Sequence, residues 1–409
     1  MKYGLVGERL GHSYSKQIHE RISDYTYDLC SIPPGELEHF VRYAKYSGIN
    51  VTIPYKKTVI PFIDEISKEA RSIGSVNTIV RRDGNLYGYN TDYDGFLYMA
   101  KCVDISFSNR KVLVLGTGGT SVTAQTAALN LGAREVIVVS RTGKVNYQNV
   151  YQCRDIEIII NTTPVGMYPD YDGHIIDLGK FKNLYGVLDV VYNPLRTNFV
   201  LDAVKLGLKA SGGLPMLVRQ AVVASELFTG RKNNEELSEL IIKEMYRDLQ
   251  NIVLIGMPGS GKTTVGRKLS ERMNRSFFDT DECVVRQEGL TVPEIFAQCG
   301  ESGFRMFEYN CVCELSKSTG LIIATGGGTV LDPENMRKLM HNGYICYLDR
   351  PIDKLPIDGR PLSVGNYSLE KLYNTRRPLY IQYGDACIYS IGTVEDAVNA
   401  VIENYHIRN

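Results

Sequence analysis

The sequence predicts an α/β protein in which helices cover parallel sheets on both faces, organised as two successive units. Three observations lead to this prediction. Short, almost wholly apolar strand candidates alternate with helical stretches, two of them run directly into glycine-rich turns, and a charged stretch at 230–250 divides the chain. Strands that are apolar on both faces are typical of parallel sheets wrapped by helices.

The strand candidates are short apolar segments bounded by polar or glycine-rich sequence. They lie at 3–7, 111–116, 135–140, 156–162, 185–192, 251–256, 320–327 and 344–349. Helical stretches lie between many of them, which predicts βαβ connections and parallel strands.

The predicted boundary lies near residue 248, so the units are 1–248 and 249–409. A second predicted boundary, within the first unit, lies near residue 104, where SFSNR precedes the strand candidate KVLVLG. It predicts that the first unit has a substrate-binding half, about 1–104 and 225–248, and a Rossmann-like cofactor half, 105–224.

Composition argues against several classes of function. Lysine plus arginine and aspartate plus glutamate each number 46, so no basic excess indicates nucleic acid or a membrane surface as a partner. No run of 18 apolar residues occurs, the first residues form no apolar leader, and the nine cysteines are scattered. We therefore expect a cytoplasmic protein with reduced thiols. Composition leaves a homo-oligomer open.

A phosphate-binding loop opens the second unit. GMPGSGKT at 256–263 follows the strand candidate NIVLI and precedes a helical stretch, as a G-x-x-x-x-G-K-[ST] motif requires. Backbone N–H groups of such a loop bind phosphate oxygens. The expected ATP ligands are Gly256, Gly259, Ser260, Gly261, Lys262, Thr263 and Thr264. Thr263 is also expected to hold Mg²⁺.

The residues after this loop indicate the phosphoryl acceptor. Asp279 and Asp281 stand at the end of a strand candidate, where one can serve the metal's hydration shell and the other can take a hydroxyl proton. GESGFRMFE, ATGGGTV, DGRPLS and TRRPLY follow in that order. Together these motifs resemble shikimate kinase across residues 250–405, which implies a P-loop fold similar to the nucleoside monophosphate kinases.

The resemblance to shikimate kinase implies roles for these residues. Asp279 would serve Mg²⁺ through water, and Asp281 would bind a shikimate hydroxyl and assist its deprotonation. Arg305 and Arg376 would grip the substrate carboxylate, which a guanidinium fork matches. Arg360 would neutralise the transferring phosphoryl group. The glycines that would approach the ring are Gly326, Gly327 and Gly328. The arginine-rich helix that usually stacks on adenine is missing at 352–358.

A second glycine turn indicates a dinucleotide site in the first unit. KVLVLG runs into TGGTSVTAQTAALNLGA, a strand, turn and helix in sequence. The next strand candidate ends in Ser-Arg-Thr where NAD enzymes place an acid, and cations and hydroxyls suit a 2′-phosphate, so we predict NADP. The expected contacts are Gly116, Gly118, Gly119, Thr120, Ser140, Arg141, Thr142 and Lys144.

Further blocks of the first unit resemble shikimate dehydrogenase. They are YGLVGERLGHSYSKQIHE, INVTIPYKK, IGSVNTIV, LYGYNTDYDG, INTTPVGMYP and the stretch from DVVYNPLRTNF to GGLPMLVRQAVVASELFTG, in the family's order across 1–248. The resemblance implies 3-dehydroshikimate and shikimate as ligands. The residues implied to bind or line their site are Ser13, Ser15, Thr52, Asn77, Asp92, Tyr192, Gly213 and Gln220. Residues 142–156 look shorter than usual, so we expect a trimmed helix there.

Lys56 and Asp92 are expected to move the proton that accompanies hydride transfer. Oxidising an alcohol requires removal of its hydroxyl proton, and the reverse direction must protonate the developing alkoxide. The sequence leaves open which of the two is the donor, and we expect them to titrate as a coupled pair.

Two other functions stay open beside a bifunctional enzyme that makes shikimate and then phosphorylates it. The first unit could prefer quinate with NAD, although Ser13, Ser15 and Arg141 argue against this. A metabolite sensor without activity should have lost its catalytic groups. The groups expected to be catalytic are all present: Lys56, Asp92, Lys262, Asp281 and Arg360.

Overall fold

The computed structural model describes residues 1–10, 13–355, 369–389 and 392–408. The chain divides into two compact units, Met1–Lys243 and Glu244–Asn409. In both units short buried strands form sheets covered by helices, which confirms the predicted fold class.

The first unit contains two sheets. Their strands are β1 (Tyr3–Gly7), β2 (Tyr27–Ser31), β3 (Gly48–Val51), β4 (Glu65–Ile66), β5 (Thr78–Arg82), β6 (Asn85–Tyr89), β7 (Lys111–Leu115), β8 (Glu135–Val139), β9 (Ile158–Asn161), β10 (Gly186–Asp189) and β11 (Lys209–Ser211). The first sheet has the order β2-β1-β3-β5-β6-β4, and the second has the order β11-β10-β9-β7-β8.

The second unit contains a third sheet. Its strands are β12 (Asn251–Ile255), β13 (Phe277–Asp279), β14 (Ile322–Ala324), β15 (Gly343–Asp349) and β16 (Ala386–Tyr389). They pair in parallel in the order β13-β14-β12-β15-β16. Residues 251–255 are all buried, as a strand covered on both faces requires.

Helices connect and cover the strands. They are α1 (Ser15–Ile22), α2 (Leu37–Tyr43), α3 (Lys68–Ile73), α4 (Thr91–Cys102), α5 (Gly119–Asn130), α6 (Asn198–Lys205), α7 (Leu214–Thr229), α8 (Glu235–Leu249), α9 (Lys262–Met273), α10 (Thr280–Glu288), α11 (Val292–Ser316), α12 (Pro333–Asn342), α13 (Leu369–Tyr383) and α14 (Val394–Arg408). Local signals set several ends: Thr291 and Glu294 form a capping box at the start of α11, and Gly289 ends α10 in the left-handed conformation.

The second and third sheets are parallel as predicted, but the first is mixed. β5 pairs antiparallel with both β3 and β6. For β5 and β6 the reason is local: Asp83 and Gly84 both have positive φ and form a two-residue turn that returns the chain as a hairpin. The Asp-Gly dipeptide was the available sequence signal for this departure from the predicted pairing.

The connection between β8 and β9 is short. Its described residues contain a 3-10 turn at Val150–Gln152 and no α-helix, in line with the trimmed helix expected there. Because parallel strands end at a common edge, the turns after β7 and β8 meet at the same side of the second sheet.

Candidate active sites

The first unit brings Lys56 and Asp92 into contact. Lys56 follows β3, whereas Asp92 lies in the first turn of α4. Lys56 Nζ is 2.6 Å from Asp92 Oδ2, and the two side chains are 19% and 12% exposed. The other carboxylate oxygen accepts a hydrogen bond of 2.9 Å from Asn77 Nδ2. The fold therefore assembles the predicted proton-transfer pair and fixes its carboxylate from a third residue.

A cleft of about 1430 Å³ lies beside this pair. Lys56 and Tyr192 both belong to its wall. The predicted cofactor residues that line it are Gly116, Gly118, Gly119, Thr120, Ser140 and Arg141. Thr142 and Lys144 follow Arg141 in the chain but are not part of the wall.

The glycine turn fits the pyrophosphate of a dinucleotide. α5 begins at Gly119, so its unpaired N-terminal N–H groups lie at the turn. Gly116 has φ +107°, and a Cβ added there would lie 2.9 Å from Thr162 Oγ1. A Cβ added at Gly118 would meet nothing within 4 Å. The turn is thus packed against the protein at Gly116 and open at Gly118, where a ligand's phosphates can approach the backbone.

Tyr147 is a cleft residue that sequence reasoning missed. It lines the same wall as Ser140 and Arg141 and belongs to the shortened segment after β8. Burial raises the pKa of its phenol, and the positive charge of Arg141 acts in the opposite direction. No sequence motif marks Tyr147. It reaches the cleft wall because the connection between β8 and β9 is short.

The predicted substrate residues near the N-terminus lie around the start of α1. The Ser13 hydroxyl donates to Ser15 Oγ at 3.0 Å. The ring of Tyr14, between them, lies 5.7 Å from the ring of Tyr192 in the cleft wall. Thr52 directly follows β3, on the segment that leads to Lys56.

Gly213 and Gln220 lie at the start of α7 and within it. A Cβ added at Gly213 would overlap the carbonyl of Val190, so a larger residue would push α7 away from the segment before Tyr192. Gln220 is 8% exposed, and its Nε2 donates to the Leu217 carbonyl at 2.8 Å. α7 packs on α4, the helix that carries Asp92.

The second unit has its own pocket, of about 260 Å³, beside the phosphate loop. The predicted residues that line it are Gly259, Lys262, Thr263, Asp279, Asp281, Arg305, Gly326, Gly327, Gly328 and Arg376. Apolar side chains that the sequence did not single out also line it: Val292, Phe296, Phe304 and Leu372. Gly256, Ser260, Gly261 and Thr264 belong to the loop and the start of α9 but not to this wall.

The phosphate loop is closed by its own lysine. Lys262 Nζ donates to the carbonyls of Gly256 and Met257, both at 2.9 Å. Gly261 has φ +96°, a conformation that strains any residue with a Cβ. The buried Ser260 hydroxyl has no hydrogen-bond partner within the described part of the chain. A phosphate oxygen in this loop would satisfy such a group.

Asp281 is held in an environment that disfavours its charge. Burial raises its pKa to about 6, the negative charges of Asp279 and Glu308 act in the same direction, and Lys262 and Arg305 oppose them. Its Oδ1 is buried and has no hydrogen-bond partner among the residues that the structure describes. A carboxylate with an unused acceptor and a pKa near neutrality suits the capture of a hydroxyl proton.

Two arginines face the glycine segment after β14. Arg305 Nη1 donates to Glu308 Oε2 at 2.7 Å, and its guanidinium lies where a Cβ of Gly328 would be. Arg376 Nη1 donates to the carbonyl of Gly327 at 3.0 Å. Both cations are thus anchored while lining the pocket.

Glu308 is a second residue that sequence reasoning missed. It is fully buried and also accepts a hydrogen bond from Thr329 Oγ1 at 2.5 Å. Its spacing of three from Arg305 on one helix was the available signal.

The residues predicted for Mg²⁺ suit that ion. Thr263 Oγ1 donates to Asp279 Oδ2 at 2.7 Å, and Asp279 Oδ1 accepts the Asp281 N–H at 3.0 Å. Hydroxyl and carboxylate oxygens are the ligands that Mg²⁺ prefers. Arg360, the predicted neutraliser of the phosphoryl group, lies outside the described residues.

The cysteines, the apolar helices and the groups of possible metal ligands bear on disulfides, membrane spans and metal sites. All nine cysteines are free thiols, and the pair Cys311 and Cys313 lies on α11. Within the described ranges, no helix is long and apolar enough to cross a membrane. The same residues hold no cluster of three or more His, Cys, Asp or Glu side chains that could bind a metal.

Comparison with known proteins gives matches to both units. The family model of the shikimate dehydrogenase substrate binding domain matches residues 5–79, and that of shikimate kinase matches residues 258–406. Shikimate dehydrogenase (NADP(+)) of Clostridium perfringens (strain SM101 / Type A) is 37% identical over 264 residues, covering 59% of this chain and 97% of that protein. The corresponding protein of Methanosphaera stadtmanae is 33% identical over 277 residues, covering 60% and 96%.

Solved structures of shikimate dehydrogenases also resemble this chain. A chorismate mutase/shikimate 5-dehydrogenase fusion protein from Clostridium acetobutylicum matches with a TM-score of 0.57 and 33% identity, covering 59% of this chain and 96% of that one. Shikimate 5-dehydrogenase from Thermus thermophilus, in complex with NADP(H) and shikimate, matches with a TM-score of 0.55 and 28% identity, covering 60% and 99%.

Proposed function

This chain belongs to the shikimate dehydrogenase family and continues into a shikimate kinase domain, and we propose how its residues carry out the two reactions. The first unit reduces 3-dehydroshikimate to shikimate with NADPH, and the second phosphorylates shikimate with ATP. The observation that carries the proposal is the pairing of two sites in one chain: a Lys56–Asp92 pair at a dinucleotide cleft, and a phosphate loop facing Asp281.

In the first reaction, bound NADPH supplies the hydride. The substrate carbonyl then needs a proton at its oxygen, and Lys56, which lines the cleft and contacts Asp92, stands ready to supply it. Asn77 holds the Asp92 carboxylate at 2.9 Å, which leaves the Lys56 ammonium oriented toward Oδ2. Ser13, Ser15, Thr52 and Gln220 bind the carboxylate and ring hydroxyls of the substrate, while Tyr192 and Gly213 shape the site.

We assign the selection of NADPH over NADH to the cleft residues that follow β8. Ser140 and Arg141 follow β8, and Tyr147 lines the wall beside them. A guanidinium with adjacent hydroxyls suits a ribose 2′-phosphate. Thr142 and Lys144 lie next in the chain but not in the wall, and of the two only Lys144 would add a positive charge near the 2′-phosphate.

In the second reaction, ATP is bound by the loop and Mg²⁺ would be held through Thr263 and Asp279, where it supplies positive charge to the phosphates. Lys262 and Arg360 stabilise the charge on the transferred group. Asp281 accepts the proton of the attacking shikimate hydroxyl through its unused Oδ1. Arg305 and Arg376 grip the substrate carboxylate, and Gly326–Gly328 let the ring approach the backbone.

The cellular setting is also a proposal. Nine free thiols and the pathway intermediates handled by both sites support a cytoplasmic enzyme. Its partners are the small substrates, and we propose no nucleic acid or membrane surface, because the formal charge is zero.

The test feeds 3-dehydroshikimate, NADPH, ATP and Mg²⁺ to the purified chain and follows products by mass spectrometry. We expect NADPH consumption and shikimate 3-phosphate to rise together, and shikimate alone to accumulate when ATP is omitted. Lys262→Ala is the matched control, because it should stop the sequence at shikimate. A chain that changes neither dehydroshikimate nor added shikimate would contradict the proposal.

A further inference from the structure

Asp92 stands at one end of a chain of buried hydrogen bonds that crosses the first sheet. The chain passes through Asn77, Thr78 and Asn50 to Tyr27. All five residues are 8% exposed or less, and Tyr27 and Thr78 are fully buried. Buried polar groups of this kind must be satisfied by one another, so each hydrogen bond constrains the next.

The donors of this chain all point toward Asp92. Tyr27 Oη donates to Asn50 Oδ1 at 2.6 Å, and Asn50 Nδ2 donates to Thr78 Oγ1 at 3.0 Å. Thr78 Oγ1 in turn donates to Asn77 Oδ1 at 3.0 Å. The last step is the Asn77 Nδ2 donation to Asp92 Oδ1 at 2.9 Å. Because a hydroxyl has one proton, Thr78 can give it to Asn77 while accepting from Asn50.

The sheet holds this arrangement in register. Asn50 and Thr78 are directly opposite partners in the antiparallel pairing of β3 with β5. The Tyr27 phenol reaches Asn50 from β2, on the far side of β1, and the His19 ring stacks on Tyr27 at 3.9 Å. The polar chain therefore depends on strand pairing and on aromatic packing away from the cleft.

The orientation of the Asn77 amide is the critical step. Asn77 Oδ1 accepts from the backbone N–H of Thr91 at 2.7 Å, from the Thr78 hydroxyl at 3.0 Å and from the Thr91 hydroxyl at 3.3 Å. With these three donors directed at its oxygen, the amide must turn its NH₂ group toward Asp92. If the amide were reversed, its NH₂ group would face the backbone N–H of Thr91, another donor. The Asp92 carboxylate would then lose its hydrogen bond from Asn77.

We propose that Thr78 is a positioning residue of the dehydrogenase. Its hydroxyl accepts a hydrogen bond from Asn50, which is itself held by Tyr27, and donates to the Asn77 amide oxygen. This fixes the orientation of the amide, so that Asp92 stays oriented toward Lys56 and substrate. This inference rests on the proposed reduction of 3-dehydroshikimate. Thr78 is fully buried and acts only through Asn77.

The test compares Thr78→Val, which removes the hydroxyl at nearly constant shape, with Thr78→Ser, which keeps it. We expect Thr78→Val to lower kcat for dehydroshikimate reduction by about tenfold, the effect of one hydrogen bond, while the KM for NADPH stays unchanged. Thr78→Ser should restore kcat to within about twofold of wild type.

Tyrosine substitutions give an independent pair. Tyr27→Phe removes the first donor of the chain and should lower kcat by a few-fold, about the effect of one neutral hydrogen bond. Tyr46→Phe is the matched control. The Tyr46 hydroxyl is also buried in this unit, but it donates to the Val41 carbonyl, which is not part of the hydrogen-bond series from Tyr27 to Asp92. Tyr46→Phe should leave kcat unchanged. This pair decides the matter if Thr78→Val does not fold.

Two outcomes would overturn the inference. One is wild-type kcat in both Thr78→Val and Tyr27→Phe. The other is a loss in Thr78→Val that affects kcat and NADPH binding alike and is not restored by serine, since that would indicate general damage to the fold. If the wild-type chain itself fails to reduce dehydroshikimate, the proposed function fails first and this inference falls with it.

Discussion

At the scale of single residues, the two sites handle charge in opposite ways. Lys56 and Asp92 lie 2.6 Å apart, so each charge has a partner before substrate binds. Asp281 has carboxylate neighbours, Asp279 and Glu308, and an oxygen with no partner in the described structure. The Asp92 carboxylate is held in place by a cation, whereas burial and neighbouring negative charges raise the pKa of Asp281 and favour its protonation.

The raised pKa of Asp281 predicts the pH dependence of the kinase reaction. Its pKa of about 6 means that the carboxyl becomes protonated below that pH and can no longer accept the hydroxyl proton. We expect kcat/KM for shikimate to fall roughly tenfold per pH unit below about 6. Asp281→Asn should lose at least about 100-fold in activity and show no such limb. A wild-type profile that stays flat down to pH 5 would disagree.

The same pKa predicts an effect on stability. Because the pKa of about 6 lies above the ordinary 3.8, the folded state holds this proton more tightly, and the stabilisation present below 3.8 is lost as pH rises through about 6. Asp281→Asn should therefore raise the free energy of unfolding at pH 8 by up to about 3 kcal/mol, at ~1.4 kcal/mol per pKa unit. Thermal melts should show the gain at pH 8 and its near disappearance at pH 4.

Arg141 predicts the cofactor preference. Removing its guanidinium from the cleft should weaken contact with a 2′-phosphate but not with substrate. We expect Arg141→Ala to raise the KM for NADPH by about tenfold or more, with the KM for dehydroshikimate almost unchanged. NADH is the control, since its KM should barely move. Equal increases for NADPH and NADH would argue against the assignment.

At the scale of elements, the contact between α4 and α7 positions the dehydrogenase site. Gly95 lies on α4, and a Cβ added there would lie 2.5 Å from the Met216 carbonyl and 3.2 Å from Gln220 Cβ. The two helices can approach this closely only because Gly95 has no side chain. The contact thereby holds α7, which carries Gln220, against α4, which carries Asp92.

Gly95→Ala tests this helix contact. Forcing a methyl group into it should separate the helices and cost about 1–3 kcal/mol in the free energy of unfolding of the first unit. Dehydrogenase turnover should fall, and kinase turnover should not. Gly35→Ala is the control, because a Cβ at Gly35 would meet nothing within 4 Å. Wild-type melting and turnover in Gly95→Ala would show that the contact adapts freely.

At the scale of the whole molecule, each of the two compact units holds one of the two candidate sites. The cleft with Lys56 lies within Met1–Lys243, and the pocket with Asp281 lies within Glu244–Asn409. Each unit has its own buried clusters, such as those around Ile49 and Val253. Units with separate cores and separate sites are expected to act independently.

Reciprocal substitutions test this independence. Lys56→Ala should reduce dehydrogenase turnover by at least about 100-fold and leave kinase turnover intact, because general acid–base groups contribute on this order. Lys262→Ala should do the reverse. Steady-state assays of both activities on each variant give the result. Loss of both activities in either variant would contradict independence.

The sequence by itself determined the features whose residues are neighbours in the chain. The strand, glycine turn and helix at 251–273 and at 111–130 could be predicted because the backbone geometry that binds phosphates is built from one contiguous segment. Family motifs extended this to the residues around both pockets, and the family of each unit is confirmed. Roles assigned to single residues stay predictions.

Only the tertiary structure decided how distant segments meet. It placed Lys56 against Asp92, set β5 antiparallel in the first sheet, and brought Tyr147 into the cleft wall. It also linked Thr78 to Asp92 through Asn77. These relations depend on strand register, helix packing and loop path, which arise from contacts between elements far apart in the chain. No local pattern of residue types contains that information.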